Sequence, residues 1–436
     1  MQINNLKRLL LLVVLAIGIH AVFWLSLHYG WLDPLFNDST HRLPRGVDFY
    51  SVYQKSYDLS VGKSLYTDVG SGPEGSRYLV VPYCAPHYRY LPSWGWFVSQ
   101  TFVRLPATHA YWIWVVLCEL MLVTCLVMFL RKTADLKKRM LLICLWLCYT
   151  PFYLELFLGQ FTFMATGLIA LALLAFDNRH DWRGTLWLAL SVLLKYVGVV
   201  ILIPLVVFGR FRHALAVVAG IIAVCAIYFV PHPDDWSLFV GVARYGTDNP
   251  IHAGNLGLQG LLGNLVRLVP NQESSLAAAL GFLLLKAIPA LIVILVSFLT
   301  WRYRSQKNFI TVCLLWLTCY FLAGTDVFEH HYVLLLPVFS FAFLRSGSPW
   351  LIVIWAWIAL PTIFNIVDSP GLPTQRYFEV EDIWWRDGQY VRVFLYHLWK
   401  IAPTTGLFVW LVRAIRHDSM DKLQEDTGQP GNGSYV

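Results

Sequence analysis

The sequence predicts an all-α polytopic membrane protein, a bundle of about twelve transmembrane helices with a long first outer loop carrying interfacial helices. Three observations predict it. Hydrophobic residues make up 57% of the 436 positions and charged residues only 14%, against about 25% charged in a soluble domain. The apolar residues come in runs rather than in alternation, and those at 9–27, 111–130 and 277–299 are each close to the roughly 20 residues that cross a bilayer. The 19 Trp and 22 Tyr suit aromatic belts at two membrane interfaces.

The first run follows Lys7 and Arg8, is longer than a typical signal-peptide core and is not closed by a small-residue cleavage site. It reads as an uncleaved signal anchor and the first span. Basic clusters then punctuate the apolar runs: Arg131-Lys132 with Lys137-Lys138-Arg139, Arg179 with Arg183, Arg210 with Arg212, Arg302-Arg304-Lys307, Arg345, and Arg413 with Arg416. Placing these and both termini in the cytoplasm puts 18 Lys and Arg inside and 14 outside, with Lys286 on neither side and seven of the outer ones in one long loop where the positive-inside rule is weak. Acidic residues run the other way, 7 inside and 18 outside, with Glu119 in mid-span.

The spans that follow are 8–28, 109–130, 139–157, 160–177, 184–194, 196–208, 213–230, 275–300, 309–324, 331–345, 350–367 and 395–414. Several are too short to cross about 30 Å alone. The pair 184–208 has basic residues at both ends, which predicts two half-helices turning near Lys195-Tyr196 and enclosed by protein. The long loops, 29–108, 231–274 and 368–394, all fall on the outer face. Residues 1–417 read as one integral-membrane domain with 29–108 as its outer catalytic loop, and 418–436 as a polar, disordered cytoplasmic tail.

Seven of the eight Cys lie in apolar segments and Cys84 in a polar one; no metal-ligand spacing occurs, and Cys84 has no nearby disulfide partner. Neither a nucleotide phosphate loop nor a dinucleotide fingerprint is present, and no cytoplasmic region is large enough to bind a sugar nucleotide. A group donor, if there is one, must therefore come dissolved in the membrane. No cofactor, metal or nucleic-acid partner is expected.

Candidate chemistry lies on the outer side. Asp48 is an isolated carboxylate in the aromatic stretch Asp48-Phe49-Tyr50-Ser51-Val52-Tyr53. Partial desolvation raises such a carboxyl toward the range of a general base; the plainer reading is an N-cap of an interfacial helix. Glu329-His330-His331 closes the turn between the ninth and tenth spans and suits proton relay or phosphate contact. Adjacent helical positions point about 100° apart, too divergent for a clean metal pair. Lys195 interrupts an apolar stretch, where it either holds a phosphate or snorkels to the interface. Arg89, Arg244, Arg267 and His252 are further outer cations for an anionic ligand. Glu155 and Gln160 flank the turn between the third and fourth spans.

Taken in order, these motifs resemble glycosyltransferase family 87, membrane enzymes of the GT-C class whose members include mannosyltransferases that extend phosphatidylinositol mannosides. The resemblance runs from Asp48-Phe49, Tyr53, Gly62 and Leu65-Tyr66 to Tyr88-Arg89-Tyr90-Leu91-Pro92, Gly159-Gln160 and Leu194-Lys195. It continues through Asn255-Leu256-Gly257-Leu258 to Arg267 and ends on His330-His331-Tyr332 through Pro337. Tyr196 stands where the family's Leu-Lys-Pro turn has Pro. The resemblance implies a GT-C-like bundle, a polyprenyl-phosphate sugar donor, an external site, inversion at the anomeric carbon and Asp48 as base. The expected reaction moves a hexose, mannose by preference, to a lipid- or glycan-linked acceptor at the plasma membrane. Lys195, His330, His331, Arg89, Arg267, His252, Gln160, Tyr53 and Glu329 are its expected donor-phosphate and substrate contacts. The rival readings are a secondary transporter with Lys195 and Glu119 as intramembrane ion sites, and a flippase for lipid-linked substrates. The absence of an internal repeat and the 80-residue loop count against a transporter.

Overall fold

The computed structural model describes residues 2–32, 36, 45–67, 80–82, 88–248, 255–269, 274–362 and 387–427. Among these the secondary structure is entirely helical. Seven helices are long and apolar enough to cross a membrane: Leu10–Tyr29 of α1 (Gln2–Tyr29), α4 (Ala107–Leu130), the Leu136–Leu158 stretch, α10 (Phe211–Phe229), α13 (Ser275–Arg302), Gln306–Ala323, and Tyr390–Arg416 of α17 (Tyr390–Thr427). Three shorter apolar helices accompany them: α7 (Thr162–Asp177), α9 (Tyr196–Val207) and α16 (Pro349–Ala359). The two other expected spans, 184–194 and 331–345, fall on α8 (Asp181–Leu194) and α15 (Leu335–Arg345), of 14 and 11 residues.

The peripheral helices show lipid-facing chemistry. In α1 and α13 only 22% and 17% of the apolar window is buried inside the protein, and Leu10, Leu15, Ile17, Leu291 and Ile294 are exposed. At the centre, α7 buries nearly every side chain from Thr162 to Phe176. Sixteen residues give about 24 Å of helix, short of a bilayer core, but α7 meets protein on all sides and has no lipid thickness to match. Around it pack α14 (Phe309–Ala323) and α15, both also largely buried.

The expected span 139–157 is two helices, α5 (Leu136–Leu147) and α6 (Thr150–Leu158). Pro151 explains the break. It has no N–H to give to the preceding turn, so it sits in the first turn of a new helix. The turn near Lys195 forms as expected: α8 stops at Lys195, whose backbone is extended, and a 3₁₀ stretch, Tyr196–Ile201, begins α9. A Cβ on Gly198 would come within 3.4 Å of Ser191, Val192 and Leu188, so the chain runs back along α8. The enclosure expected for this pair is corrected. One face is buried through Leu188, Val192, Ile201 and Leu205, while Leu186, Leu190, Val199, Ile203 and Val206 are exposed along the other.

The first loop contributes two helices, α2 (Val47–Ser60) and α3 (Pro92–Gln100). α2 lies against the α6–α7 turn, and two glycines permit the approach. Gly46 (φ +80°) gives its N–H to Phe157 O at 2.7 Å, and a Cβ there would strike the Tyr50 ring at 2.9 Å. Gly159 (φ +67°) ends α6, and a Cβ there would lie 2.6 Å from Phe49 Cβ. Both need left-handed backbone and no side chain. α11 (Asp235–Asp248) and α12 (Leu258–Arg267) belong to the 231–274 connection.

Candidate active site

Asp48 does not cap its own helix. The cap position is Gly46, without a side-chain cap bond, and Asp48 stands in the first turn. Because Gly159 lets α2 close on the α6–α7 turn, the Asp48 carboxyl meets the Gln160 side-chain amide and hydrogen-bonds to it. Burial pushes the Asp48 carboxyl up to about 6, from 3.8; the Gln160 bond and the charges of Lys195 and Arg89 oppose the rise without cancelling it.

Gln160 is shared. Its Oε1 accepts from Lys195 Nζ at 3.3 Å and from Tyr90 Oη at 3.4 Å. Lys195 does not snorkel. Its ammonium also donates to Thr162 Oγ1 at 2.6 Å and lies 3.1 Å from His331 Nε2. An ammonium only donates, so Nε2 accepts and the ring proton is on Nδ1. Nδ1 then donates to Tyr320 Oη (3.0 Å), whose own hydrogen reaches Asp326 O (2.9 Å). This tautomer is assigned from the bonding pattern. It leaves the Phe328 amide, 3.2 Å from Nδ1, facing a donor; the opposite tautomer would set an Nε2–H against the Lys195 ammonium at 3.1 Å.

The chain thus brings Asp48, Gln160, Lys195 and His331 from four separate segments to one end of the bundle. His330 stacks on Phe328 (centroids 5.6 Å apart) and against His331 (4.4 Å). Its buried Nε2 has no hydrogen-bond partner among the described residues. Arg89 is exposed and acts electrostatically on both Asp48 and Tyr196.

Other expected contacts play other parts. Tyr53 Oη donates to Leu105 O and anchors α2 to the turn before α4. Glu329 faces away from Lys195 toward a second lysine: its Oε1 lies 3.1 Å from Lys400 Nζ, and its carboxylate accepts from the Thr362 amide (2.9 Å) and hydroxyl (3.1 Å). Lys400 also donates to Ile358 O and Leu360 O. This buried, multiply bonded pair fixes the 3₁₀ turn Glu329–Leu334 that carries both histidines. Arg267 is half-buried at the C-terminal end of α12, whose Asn264 packs on His397 of α17. His252 and the side chain of Arg244 lie outside the described residues. Asn255 has a structural part: it donates to Thr325 O at 2.8 Å and accepts from Gly257 N and Val327 N, stapling its turn to the segment before the histidines.

Thr162, Tyr320, Asp326 and Lys400 were not singled out from sequence. Thr162 and Tyr320 sit in apolar runs and carry no charge to mark them. Lys400, a charge inside a candidate span, was the one available signal. Among the described residues no three His, Cys, Asp or Glu side chains gather as a metal site.

An acid–amide–ammonium–imidazole cluster at one end of a polytopic helical membrane protein is the class of site the structure defines. The family comparison gives that class its name: residues 92–337, over half the chain, match the model of glycosyltransferase family 87, and the protein belongs to that family. The matched stretch holds Gln160, Lys195, Arg267 and His330-His331, and begins downstream of Asp48, Tyr53 and Arg89. No curated protein and no solved structure matches the chain.

Proposed function

We propose that this glycosyltransferase moves a hexose, mannose by preference, from a polyprenyl-phosphate sugar to a hydroxyl of a lipid- or glycan-linked acceptor. Transfer takes place on the outer face of the plasma membrane, with both termini cytoplasmic. In this reading residues 1–417 form one catalytic domain with twelve crossings, and 418–436 form a tail.

The observation that carries the reading is the sharing of Gln160 between Asp48 and Lys195. One amide links a proton acceptor to a cation, so the two ends of a displacement reaction can be held in one frame. Asp48 takes the acceptor hydroxyl proton as the oxygen attacks the anomeric carbon. The bond from that carbon to the phosphate oxygen breaks, its electron pair leaves with the polyprenyl phosphate, and the configuration inverts. Lys195 holds the departing phosphate by point charge, with His331 orienting the ammonium and His330, as the neutral Nε2–H tautomer, able to donate to a phosphate oxygen. Arg89 supplies charge at the exposed side; Arg267 and His252 are further outer cations for the anionic donor.

The donor is tested directly. Purified protein given a polyprenyl-phosphate hexose and an acceptor lipid should form product, and given a nucleotide sugar alone should form none. Robust transfer from the nucleotide sugar would overturn the reading.

A further inference from the structure

Glu155, an acidic residue at the end of α6, is 1% exposed and is not used by the chemistry above. Its Oε2 accepts the Phe163 amide at 2.8 Å, so it caps the first turn of α7 from across the turn that holds Gln160. Its Oε1 is buried without a hydrogen-bond partner among the described residues. Beside it stands Thr162, whose hydroxyl accepts the shortest bond of the Lys195 ammonium and keeps its own proton free to turn to the carboxylate. The ionisable groups facing Glu155 are Asp48 from α2, Tyr90 from the loop before α3, Cys118 from α4 and Lys195 from the α8–α9 turn. Lys195 is the sole cation among these.

A buried carboxylate is expensive unless it is paired. A helix cap alone does not require one here: the Phe163 amide could be served by any acceptor. Glu155 acts electrostatically on an ammonium that is itself bonded to Thr162, Gln160 and His331, and so offsets part of the cost of burying that ammonium.

We infer that Glu155 is a positioning residue of the transfer site, holding the Lys195 ammonium through Thr162 and fixing the turn that presents Gln160 to Asp48. The inference rests on the reading of Asp48 as base and Lys195 as phosphate ligand. It separates the acid that organises the turn around Lys195, Glu155, from the acid that moves the proton.

Glu155→Gln keeps an acceptor for the Phe163 amide and removes only the charge. In the full-length enzyme the KM for the polyprenyl-phosphate sugar is expected to rise about tenfold, as for one lost charge-assisted hydrogen bond, with kcat at saturating donor largely unchanged. Thr162→Val should raise the same KM and Thr162→Ser restore it, which decides the matter if Glu155→Gln does not fold. A folded Glu155→Gln enzyme with the wild-type donor KM, or one that loses kcat at saturating donor as strongly as it gains KM, would overturn the inference. So would a Thr162→Val enzyme with the wild-type donor KM. Turnover surviving in Asp48→Asn would instead sink the reading of the base, a failure distinct from either.

Discussion

Lys195 stands where sequence and structure divide most sharply. As one basic residue in an apolar run it admitted two readings, snorkelling and ligand binding. The structure turns its head inward to Gln160, Thr162 and His331. Asp48 was legible for a physical reason: a lone carboxylate in an aromatic stretch is either a cap or a perturbed acid, and the cap position belongs to Gly46. Glu329 was legible as important but not in kind, because its partner Lys400 lies 71 positions away and no local pattern links them. Three predictions belong at this scale. Lys195→Met should raise the donor KM or lower kcat with the fold intact; unchanged kinetics would leave Lys195 a structural contact of Gln160, Thr162 and His331 and not a donor ligand. With Asp48 pushed up to about 6, the base form is present above that value, so kcat/KM should fall as pH drops through about 6, and a flat profile from pH 5 to 8 would contradict the assignment. Lys400→Met leaves the Glu329 carboxylate buried and unpaired, a loss of about 3–5 kcal/mol; pairing it with Glu329→Gln should recover much of that. Thermal unfolding in detergent reads the difference, and a double variant no more stable than Lys400→Met would show the pair is not coupled.

At the scale of elements, charge and hydropathy located most helices but not their breaks. Two helices lie where one span, 139–157, was expected, because Pro151 resets the hydrogen-bond ladder inside a run that stays apolar throughout. The reversal at Lys195 was legible because basic residues at both ends of 184–208 require a return to the same side. Its exposed face was not, since Leu and Val suit lipid and protein equally well. The closure of α2 on the α6–α7 turn could not be read at all: it depends on Gly46 and Gly159 at close approaches between segments over a hundred residues apart. Gly159→Ala should therefore do more than strain one residue. Left-handed backbone costs a non-glycine residue about 1–2 kcal/mol, and the new methyl meets Phe49 Cβ at 2.6 Å. α2 must move, taking Asp48 from Gln160. Turnover should drop by about tenfold or more, while Gly209→Ala, a left-handed glycine with open space around it, should carry the backbone strain without that loss. Equal activity in the two variants would show that the α2 contact does not matter.

For the whole molecule, the ends of the bundle have different chemistry. One end collects Asp48, Gln160, Lys195 and His331. The other holds the basic loops, where Lys132 pairs with Asp177 at 2.5 Å and Arg210 with Asp181 at 2.9 Å. If the basic end is cytoplasmic, a Cys at Ser60 should react with an impermeant thiol reagent from outside, and one at Ala134 only after the membrane is opened. Labelling of both from the same side would overturn the orientation. The account as a whole depends on the proton acceptor, and turnover of a folded Asp48→Asn enzyme tests it most directly. Asparagine keeps the size and the bond to Gln160 but removes the basicity. A positioned base contributes about 10² to 10⁴ in rate, so kcat should fall by at least about a hundredfold with donor binding largely retained. Near-wild-type turnover by that variant would contradict the account.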